Sequence, residues 1–273
     1  MTLARILICA GSDSGGGAGI QADIKTVTAL GGYAMTAITA LTAQNTTGVY
    51  GVVPVAPDFI RLQMRLVLSD LGADAVKTGM LGDADAIAAI AEALAELAPD
   101  VPLVVDPVMI AKGGTALLAQ DAVGALKTLL IPRATLLTPN LPEAEALLGH
   151  PIPDVAAMQA AGIELRGLGA RAVLVKGGHL PGDRLYDVLV GPDRVEIFEG
   201  TRIATRHTHG TGCTLASAIA TYLGQGRQLS EAVARARTYL IEAIRTAPGF
   251  GQGHGPLNHG HTVRMAYTRG RSL

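Results

Sequence analysis

Short apolar runs alternate with longer amphipathic segments along most of this chain, and that alternation limits its fold more than any other feature. The runs at 5–10 ("RILICA"), 33–44, 73–80, 102–108, 134–140 and 172–178 read as strands. They are rich in Val, Ile, Leu and Thr, and several end in Gly, Pro or Asp. Between them, 18–31, 57–72, 83–97, 141–149 and 156–169 read as helices, and 115–130 contains another. In the first of these, Ile20, Ile24, Val27 and Leu30 recur at helical spacing, and Gly31–Gly32 supplies a stop. Pro57 suits the first turn of the second. The pieces 184–191 and 194–200 read as a hairpin turning at Pro192–Asp193. Helices at 211–226 and 230–247 follow. Strand–helix alternation of this kind predicts an α/β fold with a mainly parallel central sheet covered on both faces. No linker breaks the pattern, so one domain is expected over 1–261, followed by a short basic tail at 262–273.

Composition excludes several classes. The net charge of −1 offers no basic field for nucleic acid or an anionic membrane. Mean hydropathy is +0.34, yet no apolar run reaches the roughly 18 residues a membrane helix needs. The N-terminal apolar stretch is too short for a secretory signal. Cys9 and Cys213 are the only cysteines, with no C-x-x-C or Cys/His spacing for zinc. A reducing cytoplasm is the expectation.

Chemistry is expected at the C-terminal ends of the strands, where open parallel sheets bind ligands. The first strand runs into "GSDSGGGAGIQAD" (11–23), the fourth into "DPVMIAKGG" (106–114), the fifth into "TPNLPEAE" (138–145) and the sixth into "KGGH" (176–179). "HGTGC" (209–213) opens a late helix. There is no Walker A motif, but a Gly-Thr-Gly helix start presents free N–H groups and a positive dipole end to an oxyanion. Lys176 with the carboxylates Asp106 and Glu143 supplies a cation and magnesium-holding groups, which is what phosphoryl transfer needs. Cys213 reads two ways: a small packing residue, or a thiol whose pKa the helix N-terminus lowers. The histidines of "GHGPLNHGH" (253–261) lie in a Gly/Pro-rich context, which reads as a closing loop near the nucleotide rather than a zinc site.

Taken together these stretches resemble the hydroxymethylpyrimidine/phosphomethylpyrimidine kinases of thiamine biosynthesis, in the ribokinase-like superfamily. "AGSDSGGGAGIQADIKT", "ITALTAQNT", "VKTGML", "VVDPVM", "LTPNLPEAE", "VLVKGGH", "HGTGCTLASAIA" and "GHGPLNH" carry the resemblance nearly end to end. It implies a three-layer α/β/α fold, ATP with Mg2+, a small aminopyrimidine alcohol phosphorylated twice to the diphosphate, and a homodimer. By motif match, Asp23 and Gln44 would bind the pyrimidine, with Met80 and Val108 as apolar walls. Asn140, Glu143, Lys176, Thr208 and Thr211 would fall in the nucleotide region, and Asp106 with Glu143 at the metal. Gly210, Gly212 and Cys213 would form the anion hole and the acceptor-activating position, with Cys213 standing where many sugar kinases carry an aspartate base.

Two rival functions remain. A pyridoxal kinase shares fold, donor and an aromatic alcohol; Ala111 stands where a cysteine is associated with that use. A non-catalytic pyrimidine or nucleotide sensor would be expected to lack the acidic or anion-hole groups that are present here.

Overall fold

The computed structural model describes residues 3–109 and 121–263. Most of the "DPVMIAKGG" loop, Ala111 included, the start of the 115–130 segment, and the tail from 264 lie outside the described residues. In chain order come β1 (Ala4–Asp13), α1 (Gly19–Ala29), β2 (Gly32–Asn45), β3 (Gly48–Pro54), α2 (Pro57–Asp70), β4 (Ala75–Thr78), α3 (Ala84–Leu97) and β5 (Leu103–Val105). A short α4 (Ala122–Ala125) continues through one π turn and a 3-10 turn to Arg133. Then follow β6 (Leu136–Leu137), α5 (Leu141–Leu148), α6 (Val155–Arg166), β7 (Val173–Lys176), β8 (Arg184–Val190), β9 (Val195–Thr201), α7 (Thr211–Gly224) and α8 (Leu229–Arg245).

The described residues build one nine-stranded sheet in the order β3-β2-β1-β4-β5-β6-β7-β8-β9. The six strands β2, β1, β4, β5, β6 and β7 run parallel. An antiparallel strand is added at one edge by β3 and a hairpin, β8–β9, at the other. The expected hairpin is therefore present, whereas β3 was not anticipated. Its sequence, "GVYGVVP", shows one buried-strand signal too few: none of its side chains is buried, so it carries no apolar-in, polar-out alternation.

Alternation along each central strand feeds two apolar layers. Leu7 and Cys9 join Val76, Val105, Leu137 and Val175 in the layer that packs on α2, α3, α5 and α6. Ile6 and Ile8 join Ala75, Val104, Leu136 and Leu174 in the layer that packs on α1, α7 and α8. Both faces of the sheet are apolar, as a parallel sheet sandwiched by helices demands. Each such side chain withdrawn from water contributes roughly 1.5–3 kcal/mol. No described helix is long and apolar enough to cross a membrane.

Candidate active site

A cleft of about 500 Å³ opens where the C-terminal ends of β5, β6 and β7 meet the N-terminus of α7. Lys176, Asp106, Asn140 and Glu143 line it with Gly210, Gly212, Cys213, Thr208, Thr211 and Val108. Side chains that the sequence separates by more than 100 positions thus converge at one end of the sheet.

The charged end is built on two strand termini and one helix cap. Lys176 closes β7, and its ammonium donates to Asp106 Oδ1 at 2.9 Å and stands 4.0 Å from Glu143 Oε2. Thr138 Oγ1 donates to the same Asp106 oxygen at 3.1 Å. Asn140 and Glu143 form a reciprocal capping box on α5. Asn140 Oδ1 accepts from Glu143 N–H at 2.9 Å, and Glu143 Oε2 accepts from Asn140 N–H at 2.8 Å. The N-x-x-E pattern is therefore a helix start that also aims a carboxylate into the cleft. Burial pushes the Glu143 carboxyl up to about 7, with the Asp106 charge adding to the rise and Lys176 opposing it. Burial works against the Lys176 ammonium, but Asp106 and Glu143 together raise its pKa.

Two carboxylates share one ammonium here, leaving the cluster short of positive charge. Mg2+ commonly binds through one or two carboxylates plus substrate phosphates and water. The donor set fits such an ion, with Asp106 and Glu143 as the residues that would hold it.

The helix start is fixed by backbone geometry. Gly210 caps α7 with φ +82°, and a Cβ there would run into the Gly17 carbonyl oxygen. Only glycine satisfies both demands. A Cβ on Gly212 would lie 3.4 Å from Lys176 Nζ and 3.5 Å from Asp106 Oδ2, so the start of α7 sits against the charged end.

Cys213 corrects one expectation. A helix N-terminus lowers a thiol's pKa, but burial here outweighs that influence. Together with the charges of Asp23 and Asp106, and against the opposing Lys77, it pushes Cys213 up to about 11. The thiol is protonated at neutral pH in the free site.

Three predicted residues lie outside the cleft lining. Asp23 is fully buried, paired with an equally buried Lys77. It sits beneath the site and not in it, because the face of α1 that carries it is turned to β4 and α7. Gln44, at the end of β2, touches His209, whose Nε2 is 3.2 Å from Gln44 Nε2. Met80 follows β4, and its carbonyl accepts from Gly11 N–H at 3.1 Å and from Thr39 Oγ1 at 2.6 Å. Its methyl stands where a Cβ on Gly11 would go. Gln44 and Met80 thus flank the glycine-loop side of the cleft.

Sequence reasoning missed the pair that holds the glycine loop closed. Asp13 accepts from the N–H groups of Gly15, Gly17 and Ala18 at 2.8, 3.0 and 2.8 Å, and His209 Nε2 lies 2.9 Å away. Burial alone would raise the Asp13 carboxyl. The His209 bond and the loop N–H groups more than offset it and hold the carboxyl below its ordinary range. The signal was available: an Asp two residues before a glycine run is an Asx-turn former. The "GHGPLNHGH" segment packs against the β2–β3 turn, with His254 N–H donating to the Thr46 carbonyl at 2.9 Å, and it receives His209 N–H on Gly255 at 3.1 Å. It braces the His209 side of the cleft.

On the opposite wall, Arg202 donates to the carbonyls of Gly182, Gly178 and Leu180 at 2.8, 2.9 and 2.5 Å, fixing the loop after β7. Asp187 accepts from Gly177 N–H at 3.0 Å and from Arg237 Nε at 2.8 Å. Leu185, Ile203, Leu215, Leu240 and Ile244 give this half an apolar lining suited to a flat base.

The family model described as phosphomethylpyrimidine kinase matches residues 13–258. A hydroxymethylpyrimidine/phosphomethylpyrimidine kinase of Bacillus subtilis is 46% identical over 260 residues, covering 95% of this chain and 96% of that protein. The thiamine biosynthesis bifunctional protein ThiED of Geobacter sulfurreducens is 54% identical over 254 residues; the match takes in 93% of this chain but spans only about half, 52%, of that longer protein. Among solved structures, the pyridoxal kinase of Staphylococcus aureus in complex with AMP-PCP and pyridoxal superposes with a TM-score of 0.89 at 34% identity, covering 97% of this chain and 96% of that one. The ribokinase-like fold expected from the motifs is thereby met. On a match that runs through the glycine loop, the Lys176–Asp106–Glu143 cluster and the Gly210–Cys213 helix start, the chain belongs to the phosphomethylpyrimidine kinase family.

Proposed function

We propose that this protein transfers the γ-phosphoryl group of ATP first to the hydroxymethyl oxygen of 4-amino-5-hydroxymethyl-2-methylpyrimidine and then to the resulting monophosphate, giving the diphosphate used in thiamine biosynthesis. The observation that carries this reading is the convergence of Lys176, Asp106 and Glu143 on the N-terminus of α7 beside Cys213. Phosphoryl transfer asks mainly for positioning and charge neutralisation. Lys176 and the N–H groups at the start of α7 neutralise the transferring oxygens. The apolar half of the cleft takes the adenine, and Gln44, Met80 and Val108 take the pyrimidine. Asp106 and Glu143 would hold Mg2+, which would supply further positive charge to the phosphates.

In the first step the hydroxymethyl oxygen forms the new P–O bond as the bond to the ADP leaving oxygen breaks, and the alcohol proton must leave. Cys213 is the acceptor-side group in reach of it. With its thiol protonated in the free site, Cys213 serves as a relay: its S–H proton passes to an oxygen of the transferring phosphoryl group as its sulfur takes up the alcohol proton, so the proton ends on the product phosphate and the thiol is regenerated. In the second step the nucleophile is already a phosphate oxygen, and no such proton has to be moved. We further infer a homodimer in a reducing cytoplasm. Leu41, Tyr50, Val52 and Val53 expose apolar surface on the β2–β3 edge, which supports the dimer.

A coupled ATP-consumption assay with the pyrimidine alcohol, its monophosphate and pyridoxal side by side tests the reading. Turnover of both pyrimidines is expected; turnover of neither overturns it. Pyridoxal is the second acceptor worth including, because the pyridoxal kinase superposes so closely.

A further inference from the structure

Among the described residues, the Lys77–Asp23 ion pair has both side chains fully sealed from solvent. Lys77 Nζ donates to both Asp23 oxygens, at 3.0 and 2.9 Å, and Ser217 Oγ donates to Oδ1 at 2.7 Å. A buried pair of this kind is often replaced by apolar groups with no loss of stability, because desolvation consumes the Coulombic gain. Stability is therefore a poor reason for keeping it.

Its location gives a better one. Lys77 stands on β4, which runs on into Gly79 and Met80. Asp23 stands on α1, which opens directly after the glycine loop. Ser217 stands on α7 four residues beyond Cys213, on the same helix face. Three elements whose loops border the cleft are bolted together at one point. A Cβ on Gly79 would lie 2.8 Å from Lys77 Nζ, so the loop backbone rests against the ammonium. The pair is also oriented. At the Cys213 thiol the positive charge of Lys77 outweighs the negative charge of Asp23, so its cationic end is directed to the acceptor side.

Resting on the kinase reading above, we propose that Lys77 is a positioning residue for the transfer step. Through Asp23 and Ser217 it holds the first turns of α7 against the glycine loop, and it keeps a positive charge behind Cys213.

The test is the double variant Lys77→Met with Asp23→Asn. It removes both charges, keeps similar volumes and leaves Ser217 an amide oxygen to bond. Folding is checked by cooperative urea unfolding. The expected result is a fall in kcat with the pyrimidine alcohol on the order of tenfold, with KM for ATP held within about twofold. A second arm needs no turnover: alkylation of Cys213 by iodoacetamide at fixed pH, read by peptide mass spectrometry. The charged groups acting on this thiol are Lys77, Asp23, Asp106 and Lys176. Loss of the first two is expected to slow labelling about threefold or more, since thiolate is the reacting form. A loosened site would label faster. Unchanged kcat, or labelling as fast as or faster than wild type, overturns the proposal. If wild type turns over neither pyrimidine, the kinase reading fails while the labelling arm still decides the charge role. Should the double variant not fold, Ser217→Ala keeps the pair and cuts its tie to α7. A kcat loss of roughly threefold or more with unaltered labelling is then expected, in the range one lost hydrogen bond produces, and unchanged kcat overturns the proposal.

Discussion

Cys213 and Gly210 show how differently two neighbouring residues can serve one helix start. The chemistry proposed for Cys213 should depend on the acceptor. Cys213→Ala is expected to lower kcat for the alcohol step by roughly tenfold to a hundredfold, in line with loss of a proton-handling group. The monophosphate step should lose far less, because its nucleophile carries no alcohol proton. Equal losses, measured with the two acceptors separately, would show that the thiol only shapes the anion site. Gly210 contributes room and conformation. Gly210→Ala has to place a side chain in the left-handed region and against the Gly17 carbonyl oxygen. It should destabilise the fold by about 2 kcal/mol or more, a left-handed alanine alone costing roughly 1–2. Urea denaturation measures it, and a loss under about 0.5 kcal/mol would contradict it.

Among the elements, α7 ties the site to the molecule's pH response. Thr214 Oγ1, in its first turn, lies 2.9 Å from His259 Nε2. Burial, with the nearby Lys25 and His261 charges adding, pushes His259 down to about 4. Above the ordinary histidine value of 6.5, the folded and unfolded chains both hold this ring neutral. Below it the unfolded chain takes up a proton that the folded chain refuses until about pH 4. Stability from this residue is therefore complete above 6.5 and is lost as the pH falls towards 4, by roughly 1–2 kcal/mol at pH 5. His259→Gln should flatten that part of the profile in urea titrations at pH 7.5 and 5. An unchanged slope would exclude His259 as its source.

The elements also show what was legible beforehand. The six central strands and their helices could be read because both of their faces are apolar and their ends are marked by Gly, Pro and Asp. The charged cluster could be read because Lys176, Asp106 and Glu143 stand at such ends. Strand β3 could not, because it lies open at the sheet edge with no buried face to impose a pattern. The resemblance makes Asp23 a pyrimidine-binding acid, and its ion-pair partner, Lys77, is 54 residues away, where no local pattern points to it. The Asp13–His209 latch spans 196 residues, and nothing local ties its two ends together. Of the two readings of Cys213, the lowered thiol is opposed by burial, which no local pattern reveals. Helix position is a local property, whereas burial is set by the whole fold.

For the molecule as a whole, the exposed β2–β3 edge bears on assembly. Leu41 and Val53 are cross-strand partners, 50% and 63% exposed, with Tyr50 on the same ribbon at 72%. Wild type should sediment as a dimer of the 28.0 kDa chain. Tyr50→Asp combined with Val53→Asp should give monomer, since burying charge at an apolar contact is strongly unfavourable. A wild-type monomer at micromolar concentration would remove the inference.

The place of β1 has a consequence for the order in which this protein can be made. The first strand of the chain lies inside the sheet, between β2 and β4. Ile6 and Ile8 belong to the apolar layer completed by Leu215, Ile219 and Val233. The Ile6 side chain reaches the spot a Cβ on Gly224 would occupy. During synthesis the earliest strand therefore waits, one face uncovered, for helices near the end of the chain. The cleft is assembled from residues on both sides of that wait, so nascent chains stopping short of α7 should have neither a finished core nor a nucleotide site. Until α7 and α8 emerge, the apolar face of β1 is a surface for a chaperone to shield.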